Sequence, residues 1–441
     1  MRYALVNPNW TFDGSTYFGC REPHFPLELL SAREFINAAG YEVLLIDAFM
    51  EDLEPSAVRQ RLDAFGEDFL VIPTAPSYLF WRCPQPELRV PRKWIVELDR
   101  SSKVVAIGPH GSVTPRATLS KTGADIVLRG EPDQTLPQLA SMPWEMVAGC
   151  CWRDQGSGAF RSTPGLGAVD MQAMPMLDYT DYPVERHNHL HHIFAGNGAD
   201  HLRRGAEVEF ARGCPYSCTF CNKTLFRNKY RERKLSTVIA EIDQLLSRGV
   251  DYIYFIDEIF GVGKQVKELL EEIARRPIST GFQTRIDLWD EQSIDLLAKA
   301  HCVSFECGIE SISDAGRDAM NKNCRLSTDR ISELLIYARQ RIPWVQANLI
   351  KVPEDDPMEV AAWQANLKSH GVWVSNPVPM FPFPGSPEYV TTFGSQPDEE
   401  AWERAHGHYL EMFSSKGWSD IQEQKPLTLA QLEQELTCVC S

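Results

Sequence analysis

The chain has 441 residues, 43% of them hydrophobic, which allows two or three domains with buried cores. Asp and Glu total 60 against 44 Lys and Arg, a formal net charge of −16. No long basic run supplies the clustered cations that a phosphate backbone needs, so nucleic acid is not the expected partner. No apolar stretch reaches membrane-spanning length, and the first residues, MRYALVNPNW, read as a strand rather than a charged-then-apolar leader. The expectation is a cytoplasmic protein with no membrane partner, whose twelve cysteines serve metal or redox chemistry rather than disulfides.

Residues 1–150 alternate strand and helix. YALVNP (3–8), YEVLLIDA (41–48), FLVIPTAPSY (69–78), KVVAIGPHG (103–111) and ADIVLRGEP (124–132) are apolar runs that end in turns. Between them, PLELLSAREFINAAG (26–40) and SAVRQRLDAF (56–65) carry helical periodicity. Fully apolar strands separated by helices predict a parallel sheet covered on both faces. Ligands of such sheets bind beyond the carboxyl ends of the strands. The loops to watch are therefore Asn7–Asn9, Thr74–Ser77, Gly108–Ser112 and Arg129–Pro132.

Residues 151–205 read as a linker, with turns at Gly156, Gly158, Gly165 and Gly167 and a polar HNHLHH tract at 187–192. A second alternating series fills residues 206–390. Strands are predicted at 206–212, 251–261, 280–287, 302–311, 344–353 and 372–381, with helices at 235–249, 266–276, 293–300, 331–341 and 357–371. Residues 391–441 form an acidic, helical segment, with a helix at 428–436 and a Cys438/Cys440 pair that is a weak candidate for an active-site or redox thiol pair. Cys150, Cys151, Cys302, Cys307 and Cys324 read as buried small hydrophobes. The basic stretch Lys223–Lys234 reads as a solvated face, with a docking patch for an anionic substrate or an electron donor as the alternative.

One decapeptide stands out. RGCPYSCTFC (212–221) places Cys214, Cys218 and Cys221 at Cys-x3-Cys-x2-Cys spacing. Soft thiolates suit iron–sulfur centres, and three of them can hold three irons of a cubane, leaving one corner for a non-protein ligand. Gly213 and Pro215 favour a tight turn around such a group, and Phe220 sets a ring beside the last thiol. The competing reading is zinc, which favours four ligands in paired spacings; no second pair lies near.

This loop resembles the cluster loop of the radical S-adenosylmethionine (SAM) enzymes. GPHGSVTP (108–115) and LRGEPDQTLPQL (128–139) resemble loops of the cobalamin-binding domain that precedes the core in one subfamily, and FPFPGSPEY (381–389) resembles a segment that closes that core. The Asp-x-His-x-x-Gly segment whose His ligates cobalt is absent, as it is from many members that bind cobalamin. The resemblance implies an N-terminal Rossmann-like cobalamin-binding domain (1–150) followed by a partial (β/α)6 barrel. It implies a [4Fe-4S] cluster on Cys214, Cys218 and Cys221. It also implies SAM contacts from Phe220, Asp257, Glu258, Phe260, Arg285, Glu310, Ser311, Gln346 and Asn348, and cobalamin contacts from Thr74, Ser77, Gly108, His110, Gly111 and Glu131.

The expected activity is methyl transfer to an unactivated carbon or a phosphorus of a small molecule. Two SAM molecules would be used, one as methyl source by way of cobalamin and one cleaved at the cluster, with an electron donor such as flavodoxin or ferredoxin. An unactivated C–H bond gives a side-chain base no proton to remove, so the cofactors would carry the chemistry. Two alternatives stand beside this one. The first is a radical SAM enzyme that transfers an aminocarboxypropyl group, to an acceptor such as arsenic, or catalyses rearrangement or decarboxylation. The second is a non-catalytic iron–sulfur or zinc protein.

Overall fold

A computed structural model describes residues 1–11, 23–77, 88–187, 204–223 and 226–414. Cys438, Cys440, the helix expected at 428–436 and His189, His191 and His192 lie outside the described residues. The chain divides into two compact units. The first gathers Met1–Asp178, Cys221–Asn228 and Phe381–Ser441, and the second Tyr179–Phe220 and Lys229–Met380.

The first unit is built on a seven-stranded sheet. Its strands are β1 (Arg2–Asn7), β2 (Glu42–Asp47), β3 (Phe69–Pro73), β4 (Lys103–Ile107), β5 (Ile126–Leu128), β6 (Cys150–Arg153) and β7 (Phe160–Ser162), in the order 2-1-3-4-5-6-7. The first five are parallel, and β6 and β7 add as an antiparallel edge. Every residue of β3 is buried, as both-face coverage requires. Helix Leu27–Ala38 buries Leu27, Leu29, Leu30 and Ile36, and helix Pro55–Phe65 buries Val58 and Leu62 before ending on Gly66 at φ +69°. Helix Arg89–Leu98 was not apparent in the sequence; it buries Val90, Trp94, Ile95 and Leu98 along one stripe. Trp10 and Trp94 join the aliphatic core.

Two features differ from expectation. The segment read as a linker from residue 151 contributes β6 and β7 to this sheet. Cys150 and Cys151 are fully buried on β6, and burial pushes their thiols up to about 12 and about 11, so they act as small hydrophobes. The loop after β4 is a short helix, Pro109–Val113, entered through Gly108 at φ +120°.

The second unit contains an open sheet of six parallel strands. These are β8 (Gly205–Val208), then, beyond a two-stranded antiparallel ribbon of β9 (Ala211–Arg212) and β10 (Arg231–Glu232), β11 (Tyr252–Phe255), β12 (Ser279–Thr284), β13 (Cys302–Glu310), β14 (Trp344–Lys351) and β15 (Trp373–Val374). The order 8-11-12-13-14-15 follows the chain, with β16 (Val378–Pro379) joining β14 at its carboxyl end. Helices Leu235–Ser247, Val266–Ile273, Glu291–Lys299, Thr328–Arg339 and Pro357–Ser369 lie in the crossovers, giving the incomplete β/α barrel expected. The last predicted strand, 372–381, is broken into two short pieces by Ser375, Asn376 and Pro377; a proline nitrogen has no proton to give a ladder.

The basic stretch 223–234 is a solvated face only in part, at Lys229 and Lys234. Lys223, Arg227 and Arg233 are buried. Arg233 donates to Glu241 Oε2 at 2.6 Å and to the Glu209 carbonyl at 2.9 Å, while Tyr179 donates to the other Glu241 oxygen at 3.2 Å. Arg212 pairs with Glu209 at 2.7 Å. Guanidinium groups reach the interior here because fixed carboxylates meet them.

Candidate active site

The three cysteines lie in the chain between β9 and β10. The turn into this loop is made by Gly213 at φ +85°, a conformation that favours glycine. Its N–H donates to Glu258 Oε2 at 2.7 Å, so the carboxylate that follows β11 anchors the loop's first residue. Asp257 is 1% exposed and accepts the Phe210 N–H at 2.8 Å. Burial raises its carboxyl well above the usual carboxylate range, against the two backbone bonds from Phe210 and Ala211. Asp257 and Glu258 therefore hold the backbone on either side of β9.

The middle of the loop is clasped by the segment after helix Asp314–Ala319. Thr219 N–H donates to the Met320 carbonyl at 3.0 Å, and Asn321 Nδ2 donates to the Ser217 carbonyl at 2.8 Å. Cys214, Cys218 and Cys221 are half-buried and not in disulfides. Burial raises the Cys218 thiol, and Lys322 is the first charge opposing that rise. Phe220 is half-buried beside them in the chain.

The carboxyl ends of the next strands bring polar groups toward this loop. Arg285 follows β12 and is 5% exposed. Its guanidinium stacks on the Tyr216 ring at 3.8 Å. Nε and Nη2 are bound by Asp287 at 3.0 and 2.8 Å, so the fork is already engaged on one edge. Nη1 is buried with no hydrogen-bond partner among the described residues. Such a donor marks a place for an acceptor. Glu310 ends β13 at φ +67°, rare for a residue with a Cβ, and its carboxylate pairs with the buried Lys322 at 2.8 Å. Ser311 donates to Asp355 Oδ1 at 2.6 Å and so ties two loops. Gln346 and Asn348 are bonded to each other on β14 at 2.8 Å and are half-exposed. Phe260 is buried in a ring cluster with Phe255, Phe282 and Trp289, which makes it a wall of the core.

Sequence reasoning missed the partners Asp287, Met320, Asn321, Lys322 and Asp355: Asp287 sits in a short 3-10 turn two residues after Arg285, and the other four lie in loops that meet their partners only through the fold. Cys324 is also unlike its expectation: it is half-buried, in the field of Asp287 and Arg285. His187 Nε2 and Glu207 Oε2 are hydrogen-bonded at 2.8 Å, both residues buried, so the start of the histidine tract is tied to a carboxylate. Among the described residues, no three His, Cys, Asp or Glu side chains gather around a point where one ion could sit. A cubane asks for something else, since its three thiolates bind three separate irons. Three half-buried thiols beside fixed cations are a donor set suited to such a cluster.

In the first unit, the parallel order 2-1-3-4-5 reverses direction between β1 and β3, the place where open α/β sheets bind ligands. Glu28, in the helix after β1, and Ser77, after β3, meet there; the hydroxyl lies 2.8 and 2.7 Å from the two carboxylate oxygens. Ser31 Oγ, one turn further on, is buried without a hydrogen-bond partner among the described residues. Thr74 Oγ1 and His110 Nδ1 are 3.2 Å apart, and the His110 ring packs on Trp402 with centroids 4.1 Å apart. Glu131 accepts the Val169 N–H at 2.7 Å. A Cβ at Gly111 would come within 2.5 Å of Val127, so that glycine serves sheet packing.

Residues 208–363 match the family model described as the Radical SAM superfamily. The chain is 25% identical over 343 residues to an anaerobic magnesium-protoporphyrin IX monomethyl ester cyclase of Rubrivivax gelatinosus, covering 75% of this chain and 59% of the cyclase. It is 25% identical over 351 residues to a hopanoid C-3 methylase of Methylococcus capsulatus, covering 75% of this chain and 62% of the methylase. The chain thus spans about three-fifths of the length of these curated relatives. Among solved structures, the methyltransferase TsrM of Kitasatospora setae, with cobalamin and a [4Fe-4S] cluster bound, superposes with a TM-score of 0.68 at 19% identity, over 88% of this chain and 77% of TsrM. The cobalamin-dependent enzyme OxsB matches with a TM-score of 0.68 at 15% identity, over 94% of this chain and 67% of OxsB. Residues 208–363 therefore carry a radical SAM domain. Across most of its length the chain shares the fold of TsrM and OxsB.

Proposed function

We propose that the chain is a cobalamin-dependent radical SAM methyltransferase acting on an unactivated carbon, or a phosphorus, of a small molecule. The observation that carries this reading is the presence in one chain of a Cys-x3-Cys-x2-Cys loop within a six-stranded parallel β/α unit and of a separate 2-1-3-4-5 parallel sheet, a fold shared with TsrM and OxsB. Cys214, Cys218 and Cys221 would hold a [4Fe-4S] cluster, which supplies one electron to break a sulfur–carbon bond of SAM when bound.

The remaining work falls to the chain. Glu258 fixes the Gly213 turn, and Asn321 fixes the centre of the loop. Arg285 Nη1 would donate to the SAM carboxylate, with Asp287 and Tyr216 holding the guanidinium in place. Glu310 would accept from a donor on the amino acid or ribose part of SAM. Phe220, Gln346 and Asn348 would border the adenosyl group, while Asp257 and Ser311 would act through the backbone they tether. In the first unit, Glu28, Ser31 and Ser77 at the sheet's reversal, with Thr74, Gly108, His110, Gly111 and Glu131 around it, would receive cobalamin; a corrin rim of amides matches buried hydroxyl and carboxyl groups. A flavodoxin or ferredoxin would supply the electron.

The test uses anaerobically purified protein loaded with iron, sulfide and cobalamin, a low-potential reductant and SAM labelled separately in its methyl and aminobutyrate carbons. Methyl label passing to cobalamin and S-adenosylhomocysteine appearing alongside 5′-deoxyadenosine support the reading. Methylthioadenosine would instead mean aminocarboxypropyl transfer. The likeness to a cyclase favours a second reading, radical chemistry without methyl gain, for which 5′-deoxyadenosine would appear with no methyl transfer.

A further inference from the structure

Lys322 is among the most enclosed ammonium groups in the second unit, at 3% exposure, two residues after the buried Met320. It sits between two asparagines that both adopt left-handed backbone, Asn321 at φ +51° and Asn323 at φ +55°. Asn323 Nδ2 donates to Asn321 Oδ1 and to its carbonyl, both at 3.1 Å, and the Lys322 N–H donates to the Arg317 carbonyl at 2.9 Å. The geometry costs backbone strain and is held by specific bonds. The same segment grips the cysteine loop on both sides of Cys218, through Met320 to Thr219 and Asn321 to Ser217. Its ammonium is aimed inward at Glu310, 2.8 Å away, rather than at solvent.

We propose that Lys322 is a positioning residue whose fixed, buried charge beside Cys218 sets the ease with which a cluster on Cys214, Cys218 and Cys221 accepts an electron. The inference rests on the cluster assignment made above. A [4Fe-4S] centre gains one negative charge when a low-potential one-electron donor reduces it. Potentials of such centres follow net charge, hydrogen bonds to sulfur and exposure. A cation held in a medium of low dielectric favours the reduced form, and the carboxylate of Glu310, 2.8 Å from it, opposes it. The two residues therefore form a buried ion pair whose cation is carried on the segment that clasps the cysteine loop.

The experiment follows the cluster, not turnover. Wild type, Lys322→Met, Lys322→Arg and Glu310→Gln are loaded anaerobically, and iron and sulfide are counted first. The reduced-to-oxidised ratio is then read by electron paramagnetic resonance at one fixed potential, without SAM. Lys322→Met is expected to lower the ratio at least tenfold, ~59 mV for a one-electron couple. Lys322→Arg is expected to stay within threefold of wild type, and Glu310→Gln to raise the ratio. A fully loaded Lys322→Met protein with an unchanged ratio overturns the inference. If Lys322→Met does not load, Glu310→Gln decides: a raised ratio supports the proposal and an unchanged one overturns it. Wild type without iron would instead defeat the cluster assignment itself.

Discussion

Replacing Glu28 with Gln should make the first unit more stable at neutral pH, and the gain should depend on pH. Glu28 is fully buried at the start of helix Leu27–Ala38, and its bonds from Ser77 do not offset the loss of water. Burial pushes its carboxyl from the ordinary 4.5 up to about 7, with Arg227 easing and Asp133 adding to the rise. Below pH 4.5 both folded and unfolded chains keep the proton, and the charge costs nothing. Between 4.5 and 7 the unfolded chain gives the proton up first, so stability falls as pH rises, and above 7 the full penalty is present. At 1.36 kcal/mol per pH unit, the difference amounts to about 3.4 kcal/mol. Gln keeps an oxygen for the Ser77 hydroxyl and carries no charge. Equilibrium urea unfolding followed by tryptophan fluorescence, with Trp10 and Trp94 in the same core, should give near-equal stabilities at pH 4 and a Gln variant favoured by about 3 kcal/mol at pH 8. Parallel profiles from pH 4 to 8 would refute the reasoning.

Arg285→Met should weaken SAM binding to the loaded protein by about 10- to 150-fold, from the ~1.5–3 kcal/mol of a hydrogen bond to a charged group. Arg285→Lys should rescue only part of this, because it forfeits the paired bonds to Asp287 and the stack on Tyr216; isothermal calorimetry measures both. Arg233→Met should cost the second unit about 3–5 kcal/mol in chemical unfolding by stranding Glu241, and the double variant Arg233→Met/Glu241→Met should recover most of it.

The parallel strands of both sheets were legible because strands covered on both faces are plain apolar runs, as in FLVIP of β3 and YIYF of β11. Helix Arg89–Leu98 hid behind Pro91 and a basic composition, although its buried stripe has helical spacing. The β6–β7 edge hid because four glycines nearby read as loop, and because three successive buried residues, Cys150, Cys151 and Trp152, break the alternation that signals an antiparallel strand. The cysteine loop was legible since its spacing is local. Its supports were not: Glu258, Lys322 and Asn321 lie 37 to 108 residues away from Cys214 to Cys221 in the chain, and only the ends of β11 and β13 bring them to it. The basic stretch was misread because a run of charges in sequence does not reveal that Glu209 and Glu241 wait inside for Arg212 and Arg233.

The most direct measurement of the central claim is iron, sulfide and zinc content of anaerobically reconstituted protein beside a Cys214→Ala/Cys218→Ala/Cys221→Ala variant. The account predicts about four irons and four sulfides per wild-type chain and neither in the folded variant. Zinc in place of iron, or a cluster retained by the variant, would contradict it.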